Sequence, residues 1–165
     1  MKHNKLIIGI VVALTFGLFY PSQAQESKFK ALFIYKFAEY IEWPSGNKNV
    51  TVGVAGNSDV YQELSNFAAT KGNMTVVNIN APADANKCNI VFLPKSQDKQ
   101  ISSYDSTIGG KSILVVSDNS DMVGKGSDIG FYLESGKLRF LISEKSIKNK
   151  KMIPSSKLLA LGKSI

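Results

Sequence analysis

VTVGVAGNSDVYQELSNFAATKGNMTVVNI, residues 50–79, is the stretch on which the fold turns. Its first seven residues are rich in β-branched side chains and leave through Gly56, the pattern of a buried strand. Residues 58–72 then change period. Val60, Leu64 and Phe67 with Ala68 fall on one helical face, Ser58 can cap the start, and Gly72 stops the run. MTVVNI (74–79) reads as a second strand.

The same alternation continues toward the C-terminus. CNIVFLP (88–94) is a third strand, closed by Pro94, and SQDKQISSYDS (96–106) is weakly helical. SILVVSD (112–118) is a fourth strand. DIGFYLE (128–134) and KLRFLIS (137–143) are joined by Ser135-Gly136, a hairpin signal. The tail over 144–163 looks helical, with an interruption at Pro154. Strands alternating with helices, then a late hairpin, argue for a single-domain α/β sandwich. It has a mostly parallel central sheet, helices on both faces and a C-terminal antiparallel hairpin.

Toward the N-terminus, residues 27–43 read as a helix capped by Ser27 and ended by Pro44. The chain opens MKHNK, continues with an apolar run over 6–20, and then reads PSQAQ. Ser22 and Ala24 stand at the −3 and −1 positions of a cleavage site, so residues 1–24 are expected to be a secretory signal peptide. The domain would be residues 25–165. It would carry 18 basic and 13 acidic residues, a net charge of +5, and no histidine.

The missing histidine excludes Ser-His-Asp and Cys-His sites and a histidine-containing zinc site. It also removes a histidine proton switch near neutral pH. One cysteine, Cys88, sits in an apolar run and reads as a buried, inert thiol, with an intermolecular bridge or redox role as the other reading.

Other motifs are weak. Gly53 and Gly56 form GxxG, lacking the third glycine of a dinucleotide fingerprint and the lysine of a phosphate loop. Asp118, Asp121 and Asp128 lack the alternation and terminal glutamate of a calcium loop. Ser155 and Ser156, after Pro154, are helix caps rather than part of a Ser-Lys dyad. No paired carboxylates suggest acid–base work, and no metal site or cofactor is expected. The basic C-terminal third, with Lys148, Lys150 and Lys151, fits a solvated face or weak attraction to anionic lipid or to an acidic partner. The crevice at the strand ends near Gly56, Asn57, Ser117 and Asp118 is where α/β sheets usually bind small ligands.

The first helix is more informative. At 100° per residue, Phe33, Ile34, Phe37, Tyr40 and Ile41 form a core stripe, with Lys28, Lys36, Glu39 and Glu42 opposite. Leu32, Tyr35 and Trp43 fall on or beside the polar arc. The loop after Pro44 or the C-terminal helix could cover them; they could be scattered exposed residues; or they could belong to a partner surface.

Taken in order, KALFIYKFAEYIEWP (30–44), VGVAG (52–56), CNIVFLP, the block 113–140 and SSKLLALG (155–162) resemble the YfiR-like family over nearly all of the mature chain. The resemblance implies a periplasmic domain without enzymatic activity. It implies a regulator that binds and represses the sensor domain of an inner-membrane signalling protein. In the family's best-known role that protein is a diguanylate cyclase, and repression lowers cyclic di-GMP and biofilm formation. A histidine kinase or a transport system served by a small-molecule binding module is the alternative. On this reading Leu32, Tyr35, Glu39 and Trp43 are the offered side, and polar replacements of Leu32 and Tyr35 should leave the melting temperature nearly unchanged. A homodimer is compatible with the sequence.

The chain departs from the family pattern at two places. Members in this role can carry disulfide-forming cysteine pairs, and a lone Cys88 excludes gating by an internal disulfide. Where the family usually reads F-E-I-N, this chain has Phe140-Leu141-Ile142-Ser143.

Overall fold

The computed structural model describes residues 23–46 and 48–165. The expected signal sequence, up to residue 22, lies outside the described residues. Helix α1 (Gln23–Tyr40) leads into a two-residue strand, β1 (Ile41–Glu42). Residues 50–79 follow as β2 (Val50–Ala55), α2 (Asp59–Lys71) and β3 (Met74–Ile79). Ser58 caps α2 by accepting from the Val60 N–H, and Gly72 ends it in the left-handed region. Then come β4 (Ile90–Leu93), α3 (Ile101–Ile108), β5 (Leu114–Ser117), β6 (Ile129–Glu134) and β7 (Lys137–Ile142). Short 3-10 turns precede β4 (Pro82–Lys87), α3 (Lys95–Gln100) and β6 (Ser120–Met122). The tail divides into α4 (Glu144–Asn149), β8 (Ile153–Pro154), α5 (Ser156–Leu161) and β9 (Lys163–Ser164).

The main sheet runs β3-β2-β4-β5-β6-β7-β9. Every pair from β3 to β6 is parallel, β6 and β7 are antiparallel, and β9 lies parallel to β7. The expected architecture is therefore the observed one. The hairpin turn puts Ser135 (φ +50°) and Gly136 (φ +73°) in the left-handed region that a tight two-residue connection demands.

Residues along each central strand divide between two cores. On one face Ile90, Phe92 and Val116 pack with Ile34 and Phe37 of α1, Leu64 of α2 and Leu158 of α5. On the other, Val91, Leu93 and Val115 pack with Ile101, Tyr104 and Ile108 of α3. Burying a side chain of this size contributes about 1.5–3 kcal/mol. Helices on both faces leave the central strands apolar throughout, as a doubly covered parallel sheet requires.

The structure differs from the sequence expectation at both ends of α1, which begins at Gln23 with Ser27 buried inside the helix rather than capping it. The helix stops at Tyr40 rather than Trp43. Ile41 and Glu42 instead pair with Pro154 and Ile153 of β8, and the Tyr40 carbonyl accepts from the Ser155 N–H at 2.9 Å. The C-terminal segment thus takes over the backbone groups that the helix would have used.

Cys88 is buried, and burial pushes its thiol up from 9.0 to about 11. Two pH units mean about a hundredfold less thiolate below pH 9. Iodoacetamide at pH 8 should therefore label the folded protein about a hundredfold more slowly than the denatured chain, as mass spectrometry would show. Labelling at the denatured rate would place the thiol at the surface.

Candidate functional site

Of the four residues expected to face a partner, two lie at the surface and two are buried. Leu32 (37% exposed) and Glu39 lie at the surface of α1. Tyr35 (5%) and Trp43 (4%) are buried. The offered face expected from the helical projection is corrected accordingly. α1 is covered on two sides, by the sheet beneath it and by α2 beside it. The Tyr35 ring stacks on Phe67 of α2 with centroids 5.9 Å apart, and its hydroxyl bonds with the side chains of Glu39 and Asn73. Trp43 lies beyond the helix end, so its helical angle carries no information.

Glu39 is not a free charge either. Lys36 donates to it at 2.7 Å. Burial pushes its carboxyl up, while the hydrogen bonds from Lys36 and Tyr35 pull it down and leave it below the usual carboxylate range. Tyr35→Ser should cost about 3 kcal/mol, the scale of a large buried side chain cut back. Leu32→Ser should stay within about 1 kcal/mol. Thermal unfolding of the two variants separates core from surface, and equal losses would contradict the assignment.

The exposed apolar surface is gathered elsewhere on the same helix. Phe29 (44% exposed) on α1 and Leu133 (53%) on β6 both border a groove of about 360 Å³. Phe33 and Leu138 also line it, and Glu26, Lys137 and Arg139 stand at its rim. The hairpin register sets Leu133 opposite Leu138, so both point to the α1 side. The Phe33 ring meets Phe140 edge-on at 5.4 Å and lies 6.1 Å from Phe131, which ties the groove floor to the core. A signal for this was present in the sequence: Phe29 stands one turn before Phe33, on the same helical face.

The expected crevice is a cleft of about 610 Å³, lined by Asn57, Ser58, Pro94, Asp118 and the first turns of α1. The sheet order places β2 between β3 and β4, so the strand order reverses there and the cleft lies at the switch point. Asn57 and Asp118 line it, while Gly56 and Ser117 do not. Ser117 is buried and donates to the Asn119 carbonyl at 2.7 Å. Gly56 lies against the Gln97 side chain.

The sequence reading missed Lys30, which is buried at the cleft wall. Its ammonium sits 2.5 Å from Glu26 and 2.7 Å from Asp118. Burial raises the Asp118 carboxyl above the usual range, against the opposing pull of Lys30. A smaller hollow of about 320 Å³ is lined by Glu26, Asp118, Leu133 and Leu138. It shares Glu26 and Asp118 with the cleft, and Glu26, Leu133 and Leu138 with the apolar groove, and so lies between them. Among the described residues no group of three or more His, Cys, Asp or Glu side chains is arranged to hold a metal ion.

This arrangement can be set beside known proteins. The YfiR/HmsC-like family description matches residues 27–163, most of the chain. The chain belongs to the YfiR/HmsC-like family. Among solved structures it is similar to a conserved domain protein from Vibrio cholerae O1 biovar El Tor strain N16961, with a TM-score of 0.60 at 12% identity. That match covers 84% of this chain and 59% of the other, and at such identity it shows the fold alone. The comparison with curated proteins gave no match.

Within this YfiR/HmsC-like chain the positions that depart from the family pattern have structural roles. Leu141 pairs with Lys163 of β9. Ser143 caps α4, accepting from the Ser146 N–H at 3.3 Å. The lysine-rich tail also needs correction as a membrane-contact patch. Lys148 is exposed and bonded to Glu144 at 2.5 Å, and Lys151 is exposed, but Lys150 is buried beside Asp128. Only two of the three charges reach solvent. No helix among the described residues is long and apolar enough to cross a membrane.

Proposed function

We propose that this chain is a periplasmic, non-enzymatic regulator that binds and represses the sensor domain of an inner-membrane signalling protein. A diguanylate cyclase fits best, given the family's link to cyclic di-GMP signalling. The observation that carries the reading is the groove between α1 and the hairpin. Phe29 and Leu133 leave large apolar side chains half in water beside a charged rim. Exposed aromatic and aliphatic groups gathered around a pocket are what a partner anchors on. Leu32 and Glu39 are also exposed on the same helix.

Repression then follows from differential binding. The regulator must hold the inactive form of its partner more tightly than the active form, since equal affinity shifts no equilibrium. A change of a partner from 1:99 to 99:1 needs about 5.5 kcal/mol of preference. Deleting the gene should raise intracellular cyclic di-GMP, and an exported copy should restore it. Unchanged cyclic di-GMP after deletion would remove the diguanylate cyclase from the proposal.

A small-molecule binding module is the second reading, favoured by the cleft at the switch point with its buried Lys30. Native mass spectrometry of protein purified from the periplasm tests it. A retained small ligand, lost in Asp118→Asn, would support it.

A further inference from the structure

Resting on the docking role proposed above, we infer that the partner joins the central sheet by laying an extended, acidic strand along the open edge of β7. β7 pairs with β6 along its whole length, Lys137 to Ile142. On its other side β9 reaches only Leu141 and Ile142. Among the described residues no strand lies beside Lys137–Phe140.

The direction of the backbone groups follows from the bonds at the strand end. The Ile142 carbonyl accepts from the Ile165 N–H at 3.1 Å, so it faces away from β6. The Ser143 N–H donates to the Asp128 carbonyl at 2.9 Å, so it faces toward β6. Backbone groups alternate along a strand. Those of Leu138 and the Phe140 N–H therefore face outward as well. Outward N–H and C=O groups on an edge are a template for another strand.

Two features select the occupant. Beside this edge, on the α1 side, is the apolar groove of Phe29, Phe33, Leu133 and Leu138. Alternate side chains of an added strand would enter it. Lys137 and Arg139, which also border that groove, alternate with Leu138 along β7 and are exposed, and Lys163 is exposed on the neighbouring strand. Of the acids nearby, Glu134 stands 3.8 Å from Arg139 with both side chains half exposed or more, and Glu26 at the groove rim is held by Lys30. The other alternate residues of an added strand are therefore acidic. A second copy of this chain fits poorly, since it would set Lys137 and Arg139 against their own kind, and like charges across a ladder repel. The occupant is a short partner segment that alternates apolar and acidic residues.

The test uses the chain over 25–165 with two acetylated hexapeptides, one alternating valine and glutamate, the other valine and lysine. The readout is amide hydrogen exchange at Leu138 and Phe140. The valine–glutamate peptide should slow exchange there by about tenfold or more, and the valine–lysine peptide should not. Leu138→Pro removes an outward N–H that the β6 ladder does not use, and it should abolish the protection. Arg139→Glu should weaken the response to the valine–glutamate peptide, which keeps the test open should the proline variant fail to fold. No protection at millimolar valine–glutamate peptide, or equal protection by both peptides, overturns strand addition. Protection that grows with protein concentration alone assigns the edge to a second copy. None of these outcomes depends on capturing the signalling partner. Strand addition can therefore fail while the regulator reading stands, and the reverse.

Discussion

Lys150→Met is expected to destabilise the protein by about 3–5 kcal/mol, the cost of leaving a buried charge without its counter-charge. Asp128 is wholly buried where β6 begins. Its carboxylate accepts from the Val115 N–H at 2.7 Å, from the Ser146 hydroxyl, and from the Lys150 ammonium at 2.8 Å. The Lys150 carbonyl in turn accepts from the Ser112 hydroxyl at 2.8 Å. One residue thus joins the end of α4 to the start of β5 and β6. Removing the ammonium leaves the carboxylate held by two neutral donors, away from water. Asp128→Asn combined with Lys150→Met removes both charges and should recover part of the loss, because a neutral pair has no charge to desolvate. Chemical denaturation of the three variants measures this. A loss under about 1 kcal/mol for Lys150→Met would mean that the pair is solvated.

The second large effect falls on binding rather than stability. Phe29→Ser and Leu133→Ser should each weaken partner binding by about thirtyfold, the factor that matches a hot-spot loss of about 2 kcal/mol. Both side chains are about half exposed, so neither variant should move the melting temperature by more than a few degrees. The matching control is Tyr35→Ser, for which stability falls. Binding measured by surface resonance against the partner's isolated periplasmic domain, beside thermal unfolding, distinguishes the two classes. Unchanged binding in both groove variants would move the docking face away from the hairpin.

Much of the fold was legible because the central strands announce themselves. Val50–Ala55, Ile90–Leu93 and Leu114–Ser117 are runs of β-branched and aliphatic residues closed by Gly, Pro or Ser-Asp. The two-residue strands β1, β8 and β9 have no period to read. They exist because the C-terminal segment folds back onto α1 and β7, where Gly162 packs so closely on Phe140 that a Cβ would stand 2.2 Å from the ring.

The candidate site was less legible. A helical projection supposes one buried face, and α1 has two, so Tyr35 was placed toward solvent when α2 covers it. Lys150 read as surface charge, and Lys30 drew no notice, because lysine rarely lies buried without a partner. Glu26 stands one turn before Lys30, but the carboxylates that complete the two buried pairs, Asp118 and Asp128, are distant in sequence. The hairpin's contribution to the groove was likewise hidden, since Leu133 and Phe29 meet only once the sheet is assembled.

On the reading proposed above, the groove between α1 and the hairpin is where the chain grips an inner-membrane signalling protein. The most direct measurement is photo-crosslinking in intact cells, with a photo-reactive residue placed at Phe29 in one strain and at Tyr35 in another. The Phe29 probe should form an adduct with the periplasmic domain of a single inner-membrane signalling protein, while the Tyr35 probe should react only within its own chain. An adduct from Tyr35 and none from Phe29 would contradict that reading.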